Sequence, residues 1–86
     1  MTYKKELQLI KGAIKEVYTY YVTEVYSNDF NCRMYNVGVV VGKRKKEIEN
    51  FSPDINEAIR LCDYLYNENV SLKNLFSIAE EFIVTL

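Results

Sequence analysis

VYTYYVTEVY, residues 17–26, is the stretch of sequence that decides the fold. It consists almost entirely of β-branched and aromatic residues, which are favoured on the pleated surface of a β-sheet. The polar stretch SNDFN (27–31) follows and is typical of a turn. Residues 33–41 then alternate with a period of two, with the odd positions predicted to be buried. Two adjacent antiparallel strands are therefore expected.

The segments on either side of these two strands extend the prediction. GKRK (42–45) is expected to turn the chain, so that KEIENF (46–51) pairs back as an edge strand. Residues 3–16 allow two structures, because apolar residues recur there at helical spacing while Gly12 would interrupt a helix. We favour a strand over residues 5–10 that forms a hairpin with residues 17–26.

The second half of the chain changes to a helical period. FSPDINEAIRLCDYL (51–65) begins with a predicted cap at Ser52 and with Pro53 at the first helical position. A second helix is expected after a cap at Ser71. The apolar stripes of the two helices are predicted to be Ile55, Ala58, Ile59, Cys62, Leu65 and Tyr66, and Leu72, Leu75, Phe76, Ala79, Phe82 and Ile83.

These elements fit one domain of 86 residues. The predicted fold class is α+β: an antiparallel β-meander of three to four strands (1–51), followed by two C-terminal helices (52–86) packed on one face. Charge divides at the same place. Residues 1–50 hold nine Lys/Arg and six Asp/Glu, whereas residues 51–86 hold two and six. The sheet is therefore expected to be basic and the helices acidic.

The layout of three segments resembles a known family. They are YNVGVVV (35–41), the Ser-Pro-Asp junction within residues 51–65, and VSLKNLFSIAEEFI (70–83). Together they are similar to small uncharacterised proteins of clostridial and related Firmicutes that share a domain of unknown function. The resemblance extends over residues 17–83 and implies the fold, with no activity attached to it. The Lys/Arg run and the tyrosine cluster of this chain depart from the family pattern.

The composition argues against several kinds of chemistry. The chain has no histidine, and Cys32 and Cys62 are too far apart in sequence to form a metal-binding pair by themselves. No nucleophile–base pair or glycine-rich phosphate loop is recognisable. We therefore predict no catalytic residue, metal site or cofactor. The N-terminal segment lacks the pattern of a signal peptide and no apolar run could span a membrane, so a cytoplasmic protein with free thiols is expected.

The tyrosine-rich strand provides the first candidate binding surface. Tyr18, Tyr20, Val22 and Tyr26 share one face of the predicted strand. Two helices can cover one face of so small a sheet, so an apolar face is expected to remain open. We predict a small non-catalytic interaction or regulatory module that binds a protein partner, or a second copy of itself, through this face. The competing interpretation is that the tyrosines pair across strands and stabilise the sheet.

The basic run Lys43, Arg44, Lys45 and Lys46 provides the alternative. Such a run on a hairpin could hold nucleic-acid phosphates, which would make the protein a nucleic-acid-binding accessory factor. The competing interpretation is a solvated turn whose charges discourage edge-to-edge pairing of sheets. The net charge of -1 and the acidic second half disfavour nucleic acid.

Overall fold

The computed structural model describes residues 2–84. In these residues β1 (Tyr3–Lys11), β2 (Ile14–Ser27), β3 (Cys32–Val41) and β4 (Arg44–Ser52) are followed by α1 (Ile55–Asn67), a short 3₁₀ turn (Leu72–Asn74) and α2 (Leu75–Val84). The strands form one antiparallel sheet in sequence order. This arrangement confirms the predicted α+β fold, with four strands in the meander. Residues 1, 85 and 86 of the predicted domain, and the side chain of Ile83, lie outside the described part.

The N-terminal segment is a strand rather than a helix, as the sequence favoured. Gly12 has φ 63°, a left-handed conformation that glycine adopts without steric cost, and it lies in the turn between β1 and β2. Along β1 the burial alternates, with Tyr3 and Leu7 half-buried and Lys4 and Glu6 exposed. A helix, with 3.6 residues per turn, would not place every second residue of this segment on the same face.

The helix starts differ from the prediction in detail. Asp54, not Ser52, caps α1, because its carboxylate accepts a hydrogen bond from the Asn56 amide at 2.9 Å. Ser52 is buried and accepts from the Asp54 amide at 3.0 Å while donating to Glu57 at 2.7 Å. Proline therefore lies before the helix and not at its first position.

Ser71 also differs from its predicted role. Its side chain makes no cap hydrogen bond in the described chain, and it precedes the 3₁₀ turn, so that α2 begins only at Leu75.

The core lies between the helices and one face of the sheet. On β2 and β3 the register places Tyr20 opposite Val39 and Val22 opposite Val37. The buried residues that complete this core come from both strands, both helices and the segment between the helices: Tyr18, Val41, Ala58, Leu61, Cys62, Leu65, Val70, Leu75 and Ala79. The Tyr20 hydroxyl donates to the Val70 carbonyl at 2.7 Å, which ties the segment between the helices to the centre of the sheet.

The opposite face of the sheet is organised around Gly38. The ring of Tyr21 lies across this glycine: a Cβ added at Gly38 would sit 2.6 Å from the Tyr21 hydroxyl oxygen and 2.7 Å from the Lys46 carbonyl oxygen. A glycine within a strand often marks such a close approach. Gly38 therefore permits Tyr21 to be fully buried on a face that the helices do not cover.

Gly38→Ala should cost about 3 kcal/mol of unfolding free energy, because the added methyl group overlaps a backbone oxygen that cannot move aside cheaply. Gly12→Ala is the matched control: no atom of the described chain lies within 4 Å of its Cβ position. Only the positive φ opposes that substitution, at about 1–2 kcal/mol. Urea unfolding of both variants gives the comparison. Equal losses would show that the ring does not pack on Gly38.

The buried ionisable groups of the core predict a loss of stability at alkaline pH. Burial raises the pKa of the Cys62 thiol from 9.0 to about 12. Burial also raises the pKa of Tyr20 from 10.0 to about 12. Between the pKa values of the unfolded chain and those of the folded chain, the unfolded chain releases protons from Cys62 and Tyr20 that the folded chain keeps. The stabilisation is therefore complete below pH 9 and is lost as the pH rises towards 12.

The variant Cys62→Ala isolates the contribution of the Cys62 thiol to this loss of stability. Above pH 9 its unfolding free energy should fall less steeply than that of the unchanged protein, by about 1.4 kcal/mol per pH unit. Urea denaturation at several alkaline pH values measures both slopes. Identical slopes would mean that the Cys62 thiol ionises equally readily in the folded and unfolded chains.

Candidate functional site

The structure separates the four residues of the predicted tyrosine surface. Tyr18, Tyr20 and Val22 are buried beneath the helices, so the prediction that they lie on an open face is wrong. Tyr26 remains 62% exposed, and its hydroxyl donates to the Asn31 side chain at 2.7 Å. Three of the four side chains are therefore unavailable to a partner in this fold.

The edge strands explain why the helices cover that face. Residues directly opposite one another on antiparallel strands share a face, so Leu7 joins Tyr18, and Ile48 joins Val37. On the other face the edge strands contribute charged residues. Lys4 pairs with Glu6 at 3.6 Å and Lys45 pairs with Glu47 at 3.7 Å. The Tyr20 face is therefore the one to which both edge strands add apolar side chains next to the central tyrosines and valines, although Lys5 and Lys46 lie on it as well.

Around Tyr21 the open face is covered by polar side chains of the sheet itself. The Tyr21 hydroxyl donates to Glu47, and the amide of Asn36 donates to the second oxygen of the same carboxylate at 2.9 Å. Burial, followed by the hydrogen bond to Glu47, raises the pKa of Tyr21. Asn36 in turn accepts from the Asn50 backbone amide at 2.8 Å, at an irregularity in the β3–β4 pairing. This network covers the part of the open face around Tyr21.

Exposed apolar surface is concentrated instead on the β1–β2 hairpin. The β2–β3 ladder ends at Tyr18 opposite Val41, whereas the β1–β2 ladder continues as far as Ile14. The tip of the first hairpin therefore projects past the β3–β4 turn. We call the exposed side chains of this projection, Ile10, Ile14 and Val17, the hairpin end. They are 73%, 66% and 38% exposed.

The hairpin end stands out among the exposed residues. It holds three of the six large hydrophobic side chains that are exposed in the described chain; the others are Tyr26, Phe30 and Phe76. Single exposed apolar residues are ordinary. Here Ile10 and Val17 lie on the Tyr21 face of the hairpin and Ile14 lies on the Tyr20 face, so one short projecting element exposes apolar area on both of its faces. The sequence contained a signal for it. Turns at Gly12, at residues 28–31 and at Gly42 make β2 longer than β3.

The side chains of the basic run point to different faces of the sheet. The turn consists of residues 42 and 43 alone, so the prediction that it extends to residue 45 is wrong, and β4 begins at Arg44. Lys45 lies 5.8 Å from the Tyr21 ring centroid on one face. Lys46 lies 5.4 Å from the Phe76 ring centroid on the other. Strand alternation thus prevents the four cations from forming one continuous surface.

A groove lies beside the hairpin end. It separates the projecting β1–β2 hairpin from the β3–β4 turn and is lined by Lys15, Glu16, Val17, Val41, Gly42, Lys43 and Arg44. The Arg44 guanidinium reaches across it to the Glu16 carboxylate at 3.5 Å. Two valines and three cations line the same depression, which combines apolar area with positive charge.

The remaining titratable clusters hold the fold together. The Asp63 carboxylate on α1 accepts from the Tyr3 hydroxyl at 2.6 Å and contacts Lys5 at 3.1 Å, which ties edge strand β1 to α1. The hydrogen bonds to Asp63 raise the pKa of both Tyr3 and Lys5. Cys62 is buried in the core.

Two further properties concern metals and membranes. In residues 2–84 no group of three or more His, Cys, Asp or Glu side chains is placed to hold a metal ion. Over the same residues, neither helix is long and apolar enough to cross a bilayer.

Comparison with known proteins gives one result. The model of a family of unknown function (DUF6514) matches residues 2–85, which is almost the whole chain. No curated protein and no solved structure matches. The match covers the sheet, both helices and the hairpin end, so the chain belongs to this family of unknown function.

Proposed function

We propose that the protein is a small, non-catalytic regulatory module that binds a protein partner, or a second copy of itself, through the hairpin end. The observation that carries the proposal is the exposure of Ile10 and Ile14 on a projecting hairpin. A two-stranded projection gains little stability from exposed isoleucines. Contact with a partner gives these side chains the burial that the domain itself does not supply.

The non-catalytic part of the proposal rests on the positions of the perturbed groups. The tyrosines and the thiol with raised pKa values are in the core or in ties between elements, away from the groove. A cytoplasmic location and an origin in the Firmicutes belong to the same proposal. They follow from the sequence patterns and from the resemblance described above.

Nucleic-acid binding is the less supported alternative. It would need Lys43, Arg44, Lys45 and Lys46 to contact one phosphate backbone, whereas successive residues of β4 point to opposite faces. Lys45 is in addition paired with Glu47 of the chain itself. Binding of a protein partner through the apolar hairpin end does not require the four cations to lie on one face.

Site-specific photocrosslinking in the native host tests the proposal. A photoreactive amino acid at Ile14 should yield a discrete adduct, because this side chain lies in the proposed contact. The same amino acid at Lys73, an exposed residue of the 3₁₀ turn, is the matched control and should yield none. Mass spectrometry of the adduct then distinguishes a second copy from another protein. Equal adducts at both positions, or none at Ile14, would contradict the proposal.

A further inference from the structure

We infer that the groove beside the hairpin end binds an extended, acidic segment of the partner, in which apolar side chains alternate with carboxylates. This inference rests on the proposed function and specifies the chemistry of the partner. Three features of the groove carry it: an unpaired stretch of β2, a cationic rim and an aliphatic lining.

The first feature is the edge of β2. In the described chain no β3 residue pairs with residues 14–17, because the β2–β3 ladder stops at Tyr18 opposite Val41. These residues pair with β1 on one side only, and the groove occupies the other side. An extended peptide satisfies such an edge by adding main-chain hydrogen bonds. The stretch is short, so side chains must provide much of the affinity.

The second feature is the charge of the rim. Lys15, Lys43 and Arg44 are exposed around the groove, and Glu16 is the one acidic residue among its described lining residues. Glu16 already lies 3.5 Å from Arg44, whose side chain is 67% exposed. The Glu16 side chain is only 27% exposed, but the guanidinium of Arg44 has five N–H donors and can bind a second carboxylate without leaving Glu16. The rim therefore favours a partner segment with negative charge.

The third feature decides between an acidic peptide and a nucleic acid. The groove is lined by the aliphatic side chains of Val17 and Val41, and Ile10 and Ile14 are exposed nearby on the hairpin end. Single-stranded nucleic acids bind on aromatic side chains that stack with bases. Aliphatic side chains instead bury the apolar residues of a peptide. The combination matches alternating apolar and acidic residues, since successive side chains of an extended peptide point in opposite directions.

A selection from a random-peptide library on the purified protein tests this inference without assuming a sequence. Enriched peptides should combine Asp or Glu with Ile, Val, Leu or Phe. Fluorescence anisotropy with the most enriched peptide should give an affinity that weakens as salt is added. A single-stranded oligonucleotide is measured in parallel at physiological salt and should bind more weakly.

The groove is identified with the triple variant Lys15→Glu, Lys43→Glu and Arg44→Glu. It should bind the enriched peptide at least about tenfold more weakly. The matched control, Lys4→Glu with Arg60→Glu and Lys73→Glu, changes the net charge equally at exposed positions elsewhere and should bind normally. If the charge-reversed groove variant does not fold, the corresponding Gln variant, which removes the charges without adding repulsion, is measured instead.

Three results would overturn the inference. The first is a peptide selection that enriches nothing or enriches peptides without acidic residues. The second is equal affinity of the groove and control variants for the peptide. The third is tighter binding of the oligonucleotide than of the peptide. Because the photocrosslinking experiment does not depend on the charge of the partner, an adduct at Ile14 together with any of these results would preserve the proposed function. It would reject the acidic segment alone.

Discussion

The pairing of β2 with both of its neighbours determines which surfaces of this protein are buried and which are open. Because side chains alternate along a strand, the register places Tyr20 on the same face as Val39 of β3 and Lys5 of β1. A slip of one residue in the β1–β2 ladder would replace Leu7 on this face with Glu6 or Gln8 and would remove its apolar side chain from beneath the helices. The helices therefore stabilise one register and, with it, the arrangement of every surface residue of the sheet.

The same strand also creates the hairpin end. β2 has fourteen residues and β3 has ten, and the difference appears at the end where the β1–β2 turn lies. A domain of 86 residues buries a smaller fraction of its surface than a larger domain does and needs its apolar side chains for the core. Ile10 and Ile14 are nevertheless exposed. Neither belongs to the packed core of the described residues, and the contact proposed above would bury them.

The sequence predicted the order and type of the elements because each has a strong local signal. These signals are β-branched and aromatic runs, turns at glycine or at SNDFN, and a helical period after the Ser-Pro-Asp junction. It did not predict which face the helices cover. Both faces of β2 are rich in aromatic or β-branched residues, so the strand by itself carries no preference. The choice lies in β1 and β4, whose apolar residues Leu7 and Ile48 share the Tyr20 face.

The two ends of β2 illustrate how exposed hydrophobic residues can differ in meaning. At the β2–β3 turn, Tyr26 is exposed, but its hydroxyl is bound to Asn31, and the Phe30 amide donates to the Ser27 hydroxyl at 3.3 Å. These hydrogen bonds stabilise the β2–β3 turn, so Tyr26 and Phe30 belong to a turn that is ordered by its own contacts. At the opposite end, Ile10 and Ile14 have no polar atoms with which to form such bonds. Ile14 precedes the β2 residues that line a groove with a cationic rim, and Ile10 is paired with Lys15 of that groove. Apolar area next to a net positive charge favours an acidic, apolar partner, which makes this end the stronger candidate for recognition.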